Sequence, residues 1–451
     1  MEKRGGWGSK MAFILAASGS AIGLGNIWRF PYQTGMNGGA AFVLIYIIAA
    51  FTVGLTLFLA EVSLGRATKR NPVGAFKEKR PKSPWFLVGI LGVFTAVMIL
   101  SYYAVIAGWT VGYSIKAIKG DFSKTLTKAS VQKMFLSFSS NTGLNFLLLL
   151  IFISLTVIVV SFGIKGGIEK LTKILMPVLF IILVYLAIKS VSFEGASKGL
   201  LFYLKPDFSK INSKVVLYAI TQAFFSLSLG MGTIMTYGSY LSDSDYLPSS
   251  ALWVVSLDTF VAIMAGLIIF PTLFTVPGMS PAQGPSLVFV ILPVVFSKIS
   301  GGAIFGSLFF FLLLIAALTS TISLLEVPVA YLIDEKKWNR KKAALAVGLL
   351  SFLFGIPSIF ANKPGNFFND IPFIKKDFLS IMDFVWGNIS LLVGGFFIAI
   401  FVGYIWKYNK ALKEINKSGK IFKFGKLWGF FLRFILPPIL FIIILSSLLI
   451  K

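Results

Sequence analysis

Long apolar runs separated by short polar stretches set the pattern of this chain. Read in windows of about 19 residues, it predicts helical spans over 11–34, 39–65, 85–117, 144–162 and 167–188. A second group lies over 215–240, 248–276, 303–333, 341–358, 378–406 and 428–450, making eleven. Runs this long suit a bilayer rather than a soluble core. The expected fold is therefore an all-α membrane protein. The apolar stretch 277–302 is interrupted by Pro277, Pro281, Gly284, Pro285 and Pro293, and reads as a re-entrant or capping hairpin instead of a span. The first apolar run, from Met11, is long and leads into further spans, so it is expected to stay in the mature protein.

Composition agrees with the pattern. Apolar residues fill 57% of 451 positions and charged residues 13%, too few to cover a soluble surface. The net charge of +25 would suggest nucleic acid in a soluble chain. Here Lys and Arg gather in alternate loops, the mark of membrane topology, and no nucleic-acid partner is expected. Placing the N-terminus in the cytoplasm puts Lys3, Arg4, Lys10, the loops 66–82 and 336–342, and Lys407 to Lys426 on one side. Eleven spans then leave the C-terminus outside the cell membrane. Cys and His are both absent, which removes thiol and imidazole chemistry; any bound ion must be held by oxygen.

Two spans carry breaks. Ser18-Gly19-Ser20-Ala21-Ile22-Gly23-Leu24-Gly25-Asn26 lies in the first, and Ser226-Leu227-Ser228-Leu229-Gly230-Met231-Gly232 in the sixth. Each glycine costs roughly 1 kcal/mol in a helix relative to alanine. Close helix packing alone would account for a lone pair of small residues, but both segments also bear polar side chains. Open backbone inside a membrane persists only where protein, water or ligand meets its polar groups. One break opens each group of five spans, and the two groups have opposite topology. That arrangement points to an inverted repeat with a binding site between the breaks. The chain then divides into a first repeat, 11–189, a second, 214–406, and an additional eleventh helix, 427–450, within one transporter domain, 1–451.

The motif Gly23-Leu24-Gly25-Asn26-Ile27-Trp28-Arg29-Phe30-Pro31-Tyr32, with Asn37-Gly38-Gly39-Ala40-Ala41-Phe42 shortly after it, resembles the signature of the neurotransmitter:sodium symporter family. Phe224-Phe225-Ser226-Leu227-Ser228-Leu229-Gly230 and Leu318-Thr319-Ser320 resemble its other core motifs, and the likeness runs along the whole chain. It places the chain in the bacterial amino-acid transporter branch with the leucine-transporter fold, itself a standing example of the repeat argument.

The resemblance implies a set of site residues. One sodium site uses the Ala21 carbonyl, Asn26, Ser226, Asp258 and the substrate carboxylate; another uses carbonyls of Gly19, Ile22 and Ala316 with the hydroxyls of Thr319 and Ser320. By the same likeness, the substrate carboxylate meets Leu24 and Gly25 N–H groups and Tyr103, and its ammonium meets carbonyls near Ala21, Phe225, Ser226 and Ser228. Ile99, Tyr103, Phe225, Met231 and Leu324 surround the side chain. Gly23 stands where monoamine transporters of the family carry an aspartate, so the substrate must bring its own carboxylate. The resemblance also makes Arg29 and Asp383 an outer gate with Phe225 and Tyr103 as lid, and Arg4, Asp334, Trp7 and Tyr240 a cytoplasmic gate. Glu61 and Glu326 read as structural carboxylates. Asp258, with Tyr46, Gln222 and Ser226 as neighbours and Ala262 one turn on, replaces the devices by which relatives use chloride, and also offers a proton-return route.

The resulting expectation is a sodium-coupled importer of a neutral, apolar L-amino acid, with two sodium ions as co-transported ligands, no cofactor and no chloride requirement. The protein is expected to be a monomer or weak oligomer. The competing readings are a non-transporting amino-acid sensor and a proton-coupled transporter. A membrane enzyme is disfavoured, because no catalytic cluster is present in the sequence.

Overall fold

A computed structural model describes residues 5–122, 126–276, 278, 287–372, 374–419 and 423–449. The regular structure in them is helical: α1 (Lys10–Ala21), α2 (Gly25–Met36), α3 (Ala40–Thr68), α4 (Phe86–Ile118), α5 (Thr142–Ser161) and α6 (Ile164–Val191). The second half holds α7 (Ser213–Ser226), α8 (Thr233–Gly238), α9 (Leu247–Phe274), α10 (Gly302–Lys336), α11 (Arg340–Phe360), α12 (Phe378–Ile405) and α13 (Lys426–Leu449). Among the described residues, nine of these are long and apolar enough to cross a membrane, and ten are when α1 and α2, bent by 47° at their break, are counted as one span.

The sixth expected span, 215–240, is not a single helix. It is α7 and α8, of 14 and 6 residues, joined by irregular chain. Most of the proline-interrupted stretch, including Pro277, Pro281, Gly284 and Pro285, lies outside the described residues; Leu287–Phe296 is a short buried apolar helix.

Local chemistry explains the boundaries. Ser9 caps α1 by accepting the Ala12 N–H at 3.2 Å, and Asn212 caps α7 by accepting that of Val215 at 3.0 Å. The α2–α3 turn requires Gly38 and Gly39, whose φ values are +91° and +63°. Burial sorts the layers: 78% of the most apolar stretch of α10 and 72% of that of α4 are inside the protein, against 28% for α13. These two central helices pack along one another, while α13 sits at the edge with Leu427, Ile442 and Leu448 turned outward.

At the end of the bundle near the Lys407 loop, charges join three segments. Arg66 on α3 is fully buried and pairs with Glu414 at 2.6 Å, donating also to the Asp245 and Glu414 carbonyls. Asp243, in the α8–α9 loop, lies 2.7 Å from Lys417 and 3.1 Å from Lys69, which hold its carboxyl down to about 2. The helix Tyr408–Ile415, which comes after α12, is thereby fastened to α3 and to that loop.

Candidate substrate and ion site

The site is built where helices stop. α1 ends at Ala21 and Ile22 turns to an extended ψ of 98°. Ile22 N–H returns to Ser18, and Gly23 N–H is taken by the Asn26 side-chain oxygen at 3.1 Å. No backbone N–H among the described residues returns to the carbonyls of Gly19, Ala21 or Ile22. Their oxygen lone pairs are therefore left without a backbone donor among the described residues. The second break is tighter still. Ser228, Gly230 and Gly232 have φ of +54°, +82° and +78°. Gly230 N–H donates to Glu61 Oε1 at 2.7 Å, so the Glu61 carboxylate serves as a backbone cap.

Asp258 on α9 joins both breaks. Its carboxylate accepts from Asn26 at 2.8 Å, from Ser226 at 2.9 and 2.8 Å, and from Tyr46 at 3.2 Å. Asp258 is completely buried, and among the described residues no Lys or Arg lies within ion-pair distance of it. A buried carboxylate held by neutral donors alone is costly unless a cation joins it. Gln222, expected as a neighbour, turns elsewhere: its amide donates to the Gly25 carbonyl at 2.8 Å. That bond closes the α2 N-terminus against α7.

On the other side of the break, Gly19 lies so close to α10 that a Cβ there would sit 3.3 Å from that of Thr319. Thr319 Oγ1 donates to the Ile315 and Ala316 carbonyls at 3.2 and 3.1 Å. Ser320 Oγ donates to the Ser20 carbonyl at 3.2 Å. Both hydroxyls spend their protons locally and keep lone pairs. No group of three His, Cys, Asp or Glu able to hold a metal occurs among the described residues; the oxygens gathered on this side are carbonyl and hydroxyl.

Between the breaks lies a small cavity of about 30 Å³, lined on its apolar side by Ile99, Phe225, Met231, Leu324 and Leu391. Leu24 N–H donates to Tyr103 Oη at 2.9 Å. Gly23 has no room for a side chain: a Cβ would lie 2.8 Å from that hydroxyl and closer still to Ser320. The polar side holds a pair the motifs did not single out. Ser20 Oγ donates to Ser323 Oγ at 2.7 Å, Ser323 donates to the Ser320 carbonyl at 2.8 Å, and Ser228 donates to the Ser20 carbonyl at 3.1 Å. Ser323 stands one helical turn past Ser320, a spacing that would have found it.

The expected gates are assembled differently from a simple ion pair. Arg29 lies over the Phe225 ring at 4.5 Å, and its guanidinium donates to Asn388 Oδ1 at 2.5 Å. No ion pair within 4 Å joins it to Asp383 among the described residues. Asp383 instead accepts from Tyr102 at 3.1 Å, and Asn388 donates to its carbonyl at 3.0 Å. Asn388 is thus the bridge. At the opposite end, Arg4 lies outside the described residues. Asp334 accepts from the Asn71 backbone and side-chain N–H groups at 2.9 and 3.0 Å. Trp7 donates to the Tyr237 carbonyl at 3.0 Å and packs edgewise on Phe13, Tyr237 and Tyr240. Tyr240 donates to Glu326 at 2.6 Å, and Arg340 grips that carboxylate at 2.7 and 3.0 Å.

The family model described as the sodium:neurotransmitter symporter family matches residues 4–137 and 125–451. An uncharacterized sodium-dependent transporter of Bacillus subtilis is 38% identical over 445 residues, covering 98% of this chain and 97% of its own. One from Haemophilus influenzae is 37% identical over 457 residues, covering 99% of each. The crystal structure of MhsT in complex with L-phenylalanine superposes with a TM-score of 0.90 at 43% identity, covering 98% of this chain and 100% of that one.

Proposed function

The chain belongs to the sodium:neurotransmitter symporter family, a family of sodium-dependent multi-pass membrane transporters and not of enzymes, and from that premise we propose that it imports a neutral, apolar L-amino acid with sodium. The observation that carries the substrate class is Gly23. It leaves the pocket without a protein carboxylate where an amine substrate would need one, and Tyr103 and Ser320 occupy the space a side chain would take. The carboxylate must then come with the substrate. The L-phenylalanine bound by MhsT supports the same reading.

In this reading the chain crosses the cell membrane eleven times, α7 and α8 together forming the sixth span, with the N-terminus in the cytoplasm. The breaks lie at mid-membrane depth, between inverted repeats 11–189 and 214–406, and the eleventh helix stands apart. Two sodium ions are carried, one at Ala21, Asn26, Ser226 and Asp258, the other at Gly19, Ile22, Ala316, Thr319 and Ser320. Each ion entering down 100 mV releases about 2.3 kcal/mol, and a tenfold gradient adds about 1.4. Two ions with a zwitterion therefore supply roughly 7 kcal/mol, or about five decades of accumulation.

Leu24, Gly25 and Tyr103 receive the carboxylate, and Ile99, Phe225, Met231 and Leu324 the side chain. Closure of Arg29, Asn388 and Asp383 over Phe225 seals the outer path, and the Trp7, Tyr240 and Asp334 group the inner one. Asp258 supplies the fixed negative charge that makes chloride unnecessary. Uptake by sealed proteoliposomes, with a panel of competing amino acids and their decarboxylated amines, tests this function. Binding without uptake would favour a sensor instead.

A further inference from the structure

Three arginines within the bundle have oxygen partners. Arg29 has Asn388, Arg66 has Glu414, and Arg340 has Glu326. Arg433 does not. It interrupts the apolar run Phe430-Phe431-Leu432-Arg433-Phe434-Ile435-Leu436 near the start of α13. A cation there is costly and calls for a counter-group. None of its side-chain N–H groups has an acceptor among the described residues, and its Nε is buried without one.

Aromatic rings surround it in place of a carboxylate. The guanidinium carbon lies 4.8 Å from the Tyr404 ring, 5.3 Å from Tyr408 and 4.9 Å from Phe434. Gly403 lets the stem lie against α12, since a Cβ there would stand 3.1 Å from Arg433 Cγ. Tyr404 Oη donates to the Arg433 carbonyl at 2.8 Å, which fixes that ring beside the site. Ring faces stabilise the charge but do not accept the in-plane N–H fork, whose geometry matches a phosphate. The site therefore holds and orients a donor group that the protein leaves unpaired.

The surroundings indicate what the acceptor is attached to. Tyr404 lies at the end of α12, and Tyr408 opens the polar connection bearing Lys407 and Lys410. The guanidinium thus lies where the apolar layer gives way to headgroups. Phe430, Phe434 and Leu427 beside it are 49%, 50% and 69% exposed, a surface suited to acyl chains. We propose that Arg433, caged by Tyr404, Tyr408 and Phe434, is a binding site for the phosphate of a glycerophospholipid.

The test is lipid retention by the full-length protein in detergent, read by native mass spectrometry. Wild type should keep phosphatidylglycerol about tenfold better than Arg433→Gln, the loss of about 1.4 kcal/mol of charge-assisted pairing. Arg433→Lys should retain an intermediate amount, having charge without the fork. Sodium-dependent uptake by Arg433→Gln establishes that it folds. Wild type alone supplies a second measure: it should prefer phosphatidylglycerol to a galactosyl diacylglycerol of equal chain length. Equal retention of those two lipids, or equal retention by wild type and Arg433→Gln, overturns the proposal. Displacement of the lipid by millimolar glycerol 3-phosphate would mark a free-anion site and overturn the lipid assignment.

Discussion

Asn26 donates twice to Asp258, once to the carboxylate at 2.8 Å and once to the backbone carbonyl at 3.0 Å. The break after α1 is therefore tied to α9 through one amide. Any rearrangement of the break changes the surroundings of the buried charge, and any loss of that charge loosens the break.

Transport is expected to run at full rate with chloride replaced by gluconate. Asp258→Asn keeps the side chain's size but removes the charge. It should cut uptake at least tenfold in gluconate, and Asp258→Asn with Ala262→Ser should recover part of the rate when chloride is supplied. Parallel assays at several pH values would expose proton exchange through the same group. Chloride-dependent wild-type uptake would refute the assignment, as would an Asn variant equally active without chloride.

Sodium dependence should rest on α10 as well. Thr319→Ala with Ser320→Ala removes two hydroxyls, one beside Gly19 and one bonded to the Ser20 carbonyl, and is expected to abolish concentrative uptake. Isotope flux into proteoliposomes, with sodium exchanged for choline at fixed pH, measures it. Undiminished flux in choline would end the coupling argument.

Competition separates the roles of the substrate's two ends. A decarboxylated amine should compete at least tenfold more weakly than its parent amino acid, because the Leu24 and Gly25 N–H groups and Tyr103 then have no anion to hold. Lysine and glutamate should compete poorly, since Ile99, Met231 and Leu324 offer their side chains no counter-charge. A strong preference for either would remove the pocket assignment.

Glu326 and Arg340 form a two-point charge pair at the inner end, with Tyr240 as a third member. Glu326→Gln strands a largely buried guanidinium and is expected to cost about 3–5 kcal/mol. Thermal unfolding in detergent should show the loss, and Glu326→Gln with Arg340→Met should recover much of it. An unchanged melting temperature in the single variant would show the pair to be dispensable.

Much of the architecture was legible in the chain itself. Apolar run length located the long helices, and the clustered glycines and serines located both breaks, because helix-breaking residues inside a long apolar run need a purpose. The bridge at Asn388 was not legible. It lies five residues beyond Asp383, and α-helical spacing would have pointed to Gly387 instead. The π turn Val385–Ser390 adds the residue that brings Asn388 onto the same face. The partner of Gln222 was not legible for a related reason: it was expected beside Asp258, and its amide donates to the Gly25 carbonyl at the neighbouring π turn. Sequence spacing conveys which face a residue occupies, and not which of two nearby oxygens its donor selects.

The same π turns bear on stiffness. α4 and α10, 33 and 35 residues long, are α-helical throughout and lie side by side as rods of about 50 Å. α2, α3, α6, α12 and α13 each contain at least one π turn. Bending work applied to such a molecule concentrates where the winding already changes, since a local shift between i→i+5 and i→i+4 bonding needs no rupture of the whole helix. On that ground the paired rods are expected to serve as the fixed rail and the π-wound helices as levers with built-in joints. Two spin labels placed on α4 and α10 should hold a constant separation through the transport cycle, while labels on either side of a joint should not.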